Sequence, residues 1–141
     1  MVFDLKRMDE AHALRLNPVQ WAYVGDTVYD LFVRTYVLAK RDCPIGKLNK
    51  LCVSYVNCKA QSRALLRIEE HLCEKELDVV RRGRNTKTHA APKNADPADY
   101  QRATSLEALI GFLYLTNQDE RIEELMNIIF EGEKEYAAQN R

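Results

Sequence analysis

The 141-residue sequence predicts an all-α fold, a bundle of about six or seven helices. Three observations carry that prediction. Apolar residues recur at helical rather than alternating spacing, Asn17-Pro18 and Asp96-Pro97 each introduce such a stretch, and no alternating run of the length of a strand is present. Proline costs nothing at the first helical position, where the missing N–H would have had no partner, and an Asn or Asp side chain just before it can accept from the next turn.

Taken in order, the first helix opens at Pro18 and its pattern continues to about Lys40, before Pro44 interrupts it. A short helix is expected near Ile45 to Val53. A longer amphipathic one is expected from Ser54 to Leu72, with Tyr55, Val56, Leu65, Leu66 and Ile68 set among Lys59, Arg63, Arg67 and Glu69. "CEKELDVVRRGR" places acids at its start and bases at its end, as the helix dipole favours, and should end near Gly83. The Asp96-Pro97 helix runs to about Thr116, and Asp119 opens a last one toward Tyr136. With no repeat or low-complexity tract, residues 1–141 read as a single domain, and a chain of this length can bury roughly two thirds of its extended surface.

Composition removes several function classes. The first ten residues are too charged for a secretory signal, and the longest apolar run, Ala108 to Leu115, falls far short of the roughly 20 residues of a membrane span. The reading is a cytoplasmic protein with no membrane partner. Cys43, Cys52, Cys58 and Cys73 form no C-x-x-C pair and read as buried or idle thiols; His71 and Cys73 lack the ligand spacing of a zinc site.

Net charge is zero, with 21 residues of each sign, but the charge is polarised. Lys40 to Arg67 carries seven Lys or Arg against one Asp, while Asp119 to Glu135 carries seven acids against two bases, read as a solvated helix face. Between them "RRGRNTKTHAAPKN", Arg81 to Asn94, holds five bases and no acid. A basic segment without an apolar pattern has no packing reason to exist, and a polyanion backbone is the partner that suits it. Arg81, Arg82, Arg84, Lys87 and Lys93 are therefore the expected RNA-binding residues of a loop at about 81–95; Lys59, with Arg63 and Arg67, either extends that track or, the reading an amphipathic helix face favours, is ordinary solvated charge. The absence of aromatic residues in the loop favours a duplex over stacked single strands.

Two acids interrupt apolar helices. Asp26 lies within "WAYVGDTVYDLFVR", whose apolar residues occur all round the helical wheel, so the helix is expected to be buried on most sides. Asp26 shares its face with Val19, Ala22, Tyr23, Asp30 and Val33; Gly25 beside it costs the helix about 1 kcal/mol relative to alanine, a sign that something approaches its backbone. Glu107 lies within "ATSLEALIGFLYL" with no Lys or Arg one turn away. A buried carboxylate in that position must be paired across the fold, protonated, or bound to a metal. If a metal binds, so few oxygen ligands point to magnesium or manganese.

"YVGD" ahead of an apolar helix, "SLEALIGFLYL" some eighty residues later, and the basic loop with "PKN" between them resemble the catalytic domain of the ribonuclease III family. Without an appended double-stranded-RNA-binding domain, the pattern is similar to the small bacterial Mini-ribonuclease III branch, from about Asn17 to Gln118. The resemblance implies the family's helical bundle and a homodimeric, magnesium-dependent endoribonuclease, with Mn2+ a possible substitute. It implies cleavage of double-stranded RNA to 5'-phosphate products and a task in maturing precursor large-subunit (23S) ribosomal RNA. It makes Asp26 and Glu107 the catalytic metal ligands. The larger family has further acids where this chain has Val19, Ala22 and Thr104, which leaves one or two metals open; Asp30 and Thr104 are possible supporting residues around the ligands. The first helix is the candidate dimer face, and its apolar pattern fits a central core helix of a monomer equally well. Two rival readings stand beside this one: a non-catalytic duplex-RNA-binding dimer, and a helical adaptor for an acidic protein.

Overall fold

The computed structural model describes residues 6–86 and 93–140. Among them lie seven α-helices and no strand: α1 (Glu10–Arg15), α2 (Pro18–Lys40), α3 (Ile45–Val56), α4 (Cys58–Ile68), α5 (Glu74–Asn85), α6 (Pro97–Leu115) and α7 (Asp119–Gln139). A single 3-10 turn, Glu69–His71, follows α4. None of these helices is long and apolar enough to cross a membrane.

The two Asx–Pro starts form as read. Asn17 Oδ1 accepts from the Val19 amide at 2.9 Å while the Asn17 amide donates to Gln20 Oε1 at 2.9 Å, and Asp96 Oδ1 accepts from the Ala98 amide at 2.8 Å. Helix α1 is not among the expected elements; six residues are too few for periodicity to register, and its local signals are the Asp9 cap, accepting from the His12 amide, with Glu10 in the first turn and Arg15 in the last. The expected helix from Ser54 to Leu72 is in fact divided. Asn57 ends α3 and caps α4, its Oδ1 accepting from the Ala60 amide at 2.9 Å and its Nδ2 donating to the Val53 carbonyl at 3.0 Å. Helix α5 runs two residues past Gly83, whose role is packing rather than termination: a Cβ there would stand 3.0 Å from the Ala108 Cβ and 3.2 Å from the Ser105 Cα on α6.

Helix α6 is the hub, packed against α2, α4, α5 and α7. From Leu106 to Leu113 every residue but Glu107 is buried. Around it the core gathers Trp21, Tyr29 and Val33 of α2, Leu65 and Ile68 of α4, Val79 of α5, and Ile122, Leu125 and Ile129 of α7. Burying each such side chain stabilises the fold by about 1.5–3 kcal/mol before the entropy of ordering it is subtracted.

Helix α2 departs from expectation. Its apolar residues do run all round the wheel, but only one face, Trp21, Gly25, Val28, Tyr29, Val33 and Val37, is buried. Val19, Tyr23, Leu31 and Leu38 on the other side are exposed, Tyr23 to 81%. The helix that is enclosed on nearly all sides is α6.

The charge polarity is partly internal. The acidic α7 is not simply a solvated face: Glu133 is buried and accepts from Arg63 Nη2 at 2.7 Å and Arg67 Nη1 at 3.2 Å, both on α4, with Tyr136 beneath the Arg63 guanidinium at 3.9 Å. Arg63 and Arg67 therefore hold α7 to α4 instead of forming a free basic track. At the other end of α7, Arg121 grips the buried Glu76 of α5 with two hydrogen bonds, 2.8 and 2.9 Å; burial alone would raise the Glu76 carboxyl, but the guanidinium overrides it and the net shift is downward. The four cysteines are free thiols, Cys52 buried and Cys73 exposed.

Candidate active site

Two glycines decide where the acids sit. Helices α2 and α6 cross with their backbones in contact: a Cβ on Gly25 would fall 1.7 Å from the Glu107 carbonyl oxygen, and one on Gly111 would fall 1.8 Å from the Trp21 carbonyl oxygen. Only hydrogen fits at both points, and the close approach anticipated at Gly25 is that of α6. The crossing brings Asp26, the next residue of α2, to Glu107 of α6.

The pair is asymmetric in its surroundings. Asp26 is exposed, on a helix that the sequence reads as buried on most sides, and borders a surface recess of about 450 Å³ walled by Tyr23, Thr27, Leu31 and Tyr114. Glu107 is half-buried. Its carboxyl is pushed up to about 9, first by burial, then by its hydrogen bond to Asp26 and by the Asp26 charge. No Lys or Arg among the described residues forms an ion pair with either acid. A site of this kind holds a proton at neutral pH or exchanges it for a cation from outside.

Tyr29 was not singled out by the sequence. It is 1% exposed, and its hydroxyl is driven well above the usual range by burial first, then by the charges of Glu133 and Glu107. Its place three residues after Asp26, on the buried side of the same helix, was the available signal. Cys58 at the start of α4 lies in the field of Asp99, Asp96 and Glu107, and burial raises its thiol above the ordinary value.

The remaining expected residues are dispersed. Asp30 Oδ2 accepts from Arg34 Nε at 2.8 Å on its own helix. Thr104 Oγ1 donates to the Tyr100 carbonyl at 3.0 Å, one turn before Glu107. The basic loop begins later than expected, because Arg81, Arg82 and Arg84 occupy the last turns of α5. Arg81 pairs with Asp78, and Arg84 stands 3.7 Å from Glu69. Arg82 is committed to the fold: its Nη2 donates to the Leu14 carbonyl at 3.1 Å and its guanidinium lies 4.6 Å from the Trp21 ring centroid. Lys59 and Lys93 are exposed, and Lys87 lies outside the described residues.

Among the described residues no third His, Cys, Asp or Glu joins a metal-holding group with this pair. Two carboxylates with no cation of their own suit a hard ion that keeps several waters and takes further oxygens from a phosphate, the coordination habit of Mg2+.

Residues 19–118 match the family model of the ribonuclease III domain. The chain belongs to the ribonuclease III family. It is 45% identical over 116 residues to Mini-ribonuclease 3 of Clostridium tetani, covering 82% of this chain and 77% of that protein. It is 39% identical over 127 residues to Mini-ribonuclease 3 of Staphylococcus aureus, covering 89% and 95%. A crystal structure of a Fusobacterium nucleatum protein superposes with a TM-score of 0.78 at 32% identity, over 89% of this chain and 99% of that one. Membership makes the chain an endoribonuclease, in a family that acts on double-stranded RNA.

Proposed function

We propose that Asp26 and Glu107 together hold a divalent cation, Mg2+ with Mn2+ able to replace it, and that hydrolysis of duplex RNA takes place at this pair. The single observation that carries the reading is Glu107: a half-buried carboxyl, raised to about 9 beside a second acid, in a molecule that supplies cations to its other buried acids. The bound ion would supply the charge that activates an attacking water and offsets charge on the leaving oxygen. The protein's own part is placement. The glycine crossing fixes the spacing of the two carboxylates, Asp26 remains open to solvent where a phosphodiester can arrive, and the burial of Glu107 favours the exchange of its proton for a metal.

The substrate is duplex RNA, read mainly by its A-form shape, so sequence preference is modest. The segment from Asn85 to Asn94, with Lys87 and Lys93, is the grip on the backbone, together with the exposed Arg81 and Arg84 at the end of α5 and Lys59. The enzyme works in the cytoplasm as a homodimer, since cutting both strands requires two sites facing opposite backbones. The exposed apolar row of α2, Val19, Tyr23, Leu31 and Leu38, supports that helix as the shared face. Kinship favours precursor 23S ribosomal RNA as the substrate.

The test incubates the protein with long duplex RNA and Mg2+, beside an EDTA control and the Asp26→Asn variant. Cutting is expected with Mg2+ alone. Cleavage that survives EDTA or the substitution refutes the metal assignment, and binding without cleavage in every arm favours a non-catalytic RNA-binding dimer.

A further inference from the structure

Most arginines of this molecule are committed to carboxylates within the fold, as at Arg34–Asp30, Arg63–Glu133 and Arg121–Glu76. At the far end of α2 the pattern reverses. Lys40, Arg41 and Lys134 are exposed, and none has a carboxylate within ion-pair distance among the described residues. They are also together. All three line one recess of about 330 Å³ between α2, α3 and α7, whose wall is formed by Tyr36 and Tyr55. Lys40 lies 5.8 Å from the Tyr36 ring centroid, and Arg41 is close enough to oppose the upward shift that burial imposes on the Tyr55 hydroxyl. Lys47 and Lys50, on the helix that brings Leu51 to the same recess, are exposed and, among the described residues, unpaired as well.

Cations gathered on one rim repel each other, and the fold has not relieved that repulsion. Of the two acids lining the recess, Glu133 is occupied by Arg63 and Arg67; Glu131, exposed, has no ion pair among the described residues, nor has Asp42, exposed next to Arg41. A recess with three cations suits a phosphate, which offers them charge, and the Tyr36 and Tyr55 hydroxyls, one engaged by the other, keep one proton for its acceptor oxygens. At 1.5 Å per residue, the fourteen residues from Asp26 to Lys40 put this recess about 21 Å along α2 from the acid pair. That distance is too long for the recess to be part of one cleavage site with the acid pair, and short enough for one nucleic-acid duplex to span.

We propose that Lys40, Arg41 and Lys134 form a second phosphate-binding point that grips the backbone of the duplex-RNA substrate away from the cut. The proposal rests on the duplex-nuclease reading above and adds to it a determinant of substrate length. Removing the three charges weakens capture of a long duplex without altering the chemistry at Asp26 and Glu107.

The test compares wild type with the Lys40→Ala/Arg41→Ala/Lys134→Ala variant, all surface positions, binding a long RNA duplex and a short one that reaches only the acid pair, in EDTA so that no strand is cut. Expected is a loss of affinity of about tenfold for the long duplex, and a fall of about 2 to 3 in the slope of log K against log salt, near one unit for each phosphate that is no longer neutralised. The short duplex should bind as before. In turnover with Mg2+, KM for the long duplex should rise with kcat held, and Glu131→Gln, removing the opposing charge, should tighten binding. Unchanged affinity and salt slope overturn the proposal, as do equal losses for both duplex lengths. Loss of binding to a polyglutamate peptide with RNA binding intact overturns it in favour of an acidic protein partner. Failure of the wild type itself to bind or cut any duplex overturns the nuclease reading first, and is distinguished by needing no variant.

Discussion

Glu107 and Glu133 are both acids shielded from solvent on helices that pack against the same core, and the fold treats them in opposite ways. Glu133 receives two guanidinium groups, Arg63 and Arg67, and joins α7 to α4. Glu107 receives another acid, Asp26, and no cation from the described residues, so its carboxyl stays protonated up to about 9. A lone buried charge costs several kcal/mol, and pairing within the chain is the ordinary remedy. The chain applies that remedy at Glu133 and Glu76 and, among the described residues, withholds it at Glu107, which is why the proposed cation is assigned to this acid and not to the other two. Tyr29 lies in the field of both systems, so the two treatments meet at one buried hydroxyl.

The contrast can be broken from either side. The largest effect is expected from Glu107→Gln, which keeps the shape of the neutral acid and removes its ability to ionise, and with it the proposed exchange of a proton for metal. Duplex-RNA cleavage should fall by about 10³-fold, as read on a gel, while the melting temperature in EDTA stays the same or rises. A Gln variant that cuts normally would make Glu107 a structural acid.

Next in size is Gly25→Ala. Its methyl group would land on the Glu107 carbonyl, where backbone on both helices leaves nothing flexible to yield. Thermal or denaturant unfolding should show a loss of about 3 kcal/mol, with cleavage reduced further than stability alone explains, because the two acids are spread apart. Gly46, with nothing near its Cβ position, is the control, and Gly46→Ala should leave both properties close to wild type.

Glu133→Ala should cost about 2–3 kcal/mol, less than a fully buried pair because both arginines keep some solvent, and should leave the metal dependence of the enzyme unchanged. A change in the Mg2+ concentration giving half-maximal activity would show that the clamp and the acid pair are coupled through Tyr29.

The two acids Glu107 and Glu76 also differ in the sign of their pH dependence. Glu107 is raised in the folded state, from an ordinary 4.5 to about 9, so the folded metal-free protein holds a proton that the unfolded chain releases in that window. Its contribution to stability is whole below 4.5 and is lost as pH climbs toward 9. Melting temperatures in EDTA should therefore decline more steeply over that range in wild type than in Glu107→Gln. Glu76, lowered by Arg121, has the opposite sign: its contribution is present above the ordinary carboxylate value and disappears as pH falls through the depressed one. Titrating Mg2+ into wild type at neutral pH, in buffers of different ionisation enthalpy, should release protons, and the Gln variant should release fewer.

Much of this was legible along the chain because the signals are local. Asn17-Pro18 and Asp96-Pro97 announce their helices through capping, which needs only three or four consecutive residues, and both form. The Gly25-Asp26 pair and Glu107 stood out because acids in apolar helices without a nearby base are conspicuous in a linear reading. The break at Asn57 was missed because apolar spacing continues across it, while the cap that makes it depends on one side chain turning back on the Ala60 amide. Arg82 looked like part of a free basic loop, since nothing in "RRGRN" announces the Trp21 ring or the Leu14 carbonyl that hold it.

What the sequence determined by itself was the class of fold, the ends of the long helices and the identity of the two unpaired acids, because each depends on residues within a turn or two of one another. The tertiary structure alone decided which cations are free. Arg63, Arg67, Arg82 and Arg121 are bound to groups distant in sequence, whereas Lys40, Arg41 and Lys134 are exposed and unpaired among the described residues. It also decided which apolar helix is enclosed: α2 and α6 look alike as strings, but α6 is surrounded by four helices and α2 keeps one face uncovered. Burial and pairing are properties of neighbours brought together by the chain's path, and helical periodicity carries no record of them.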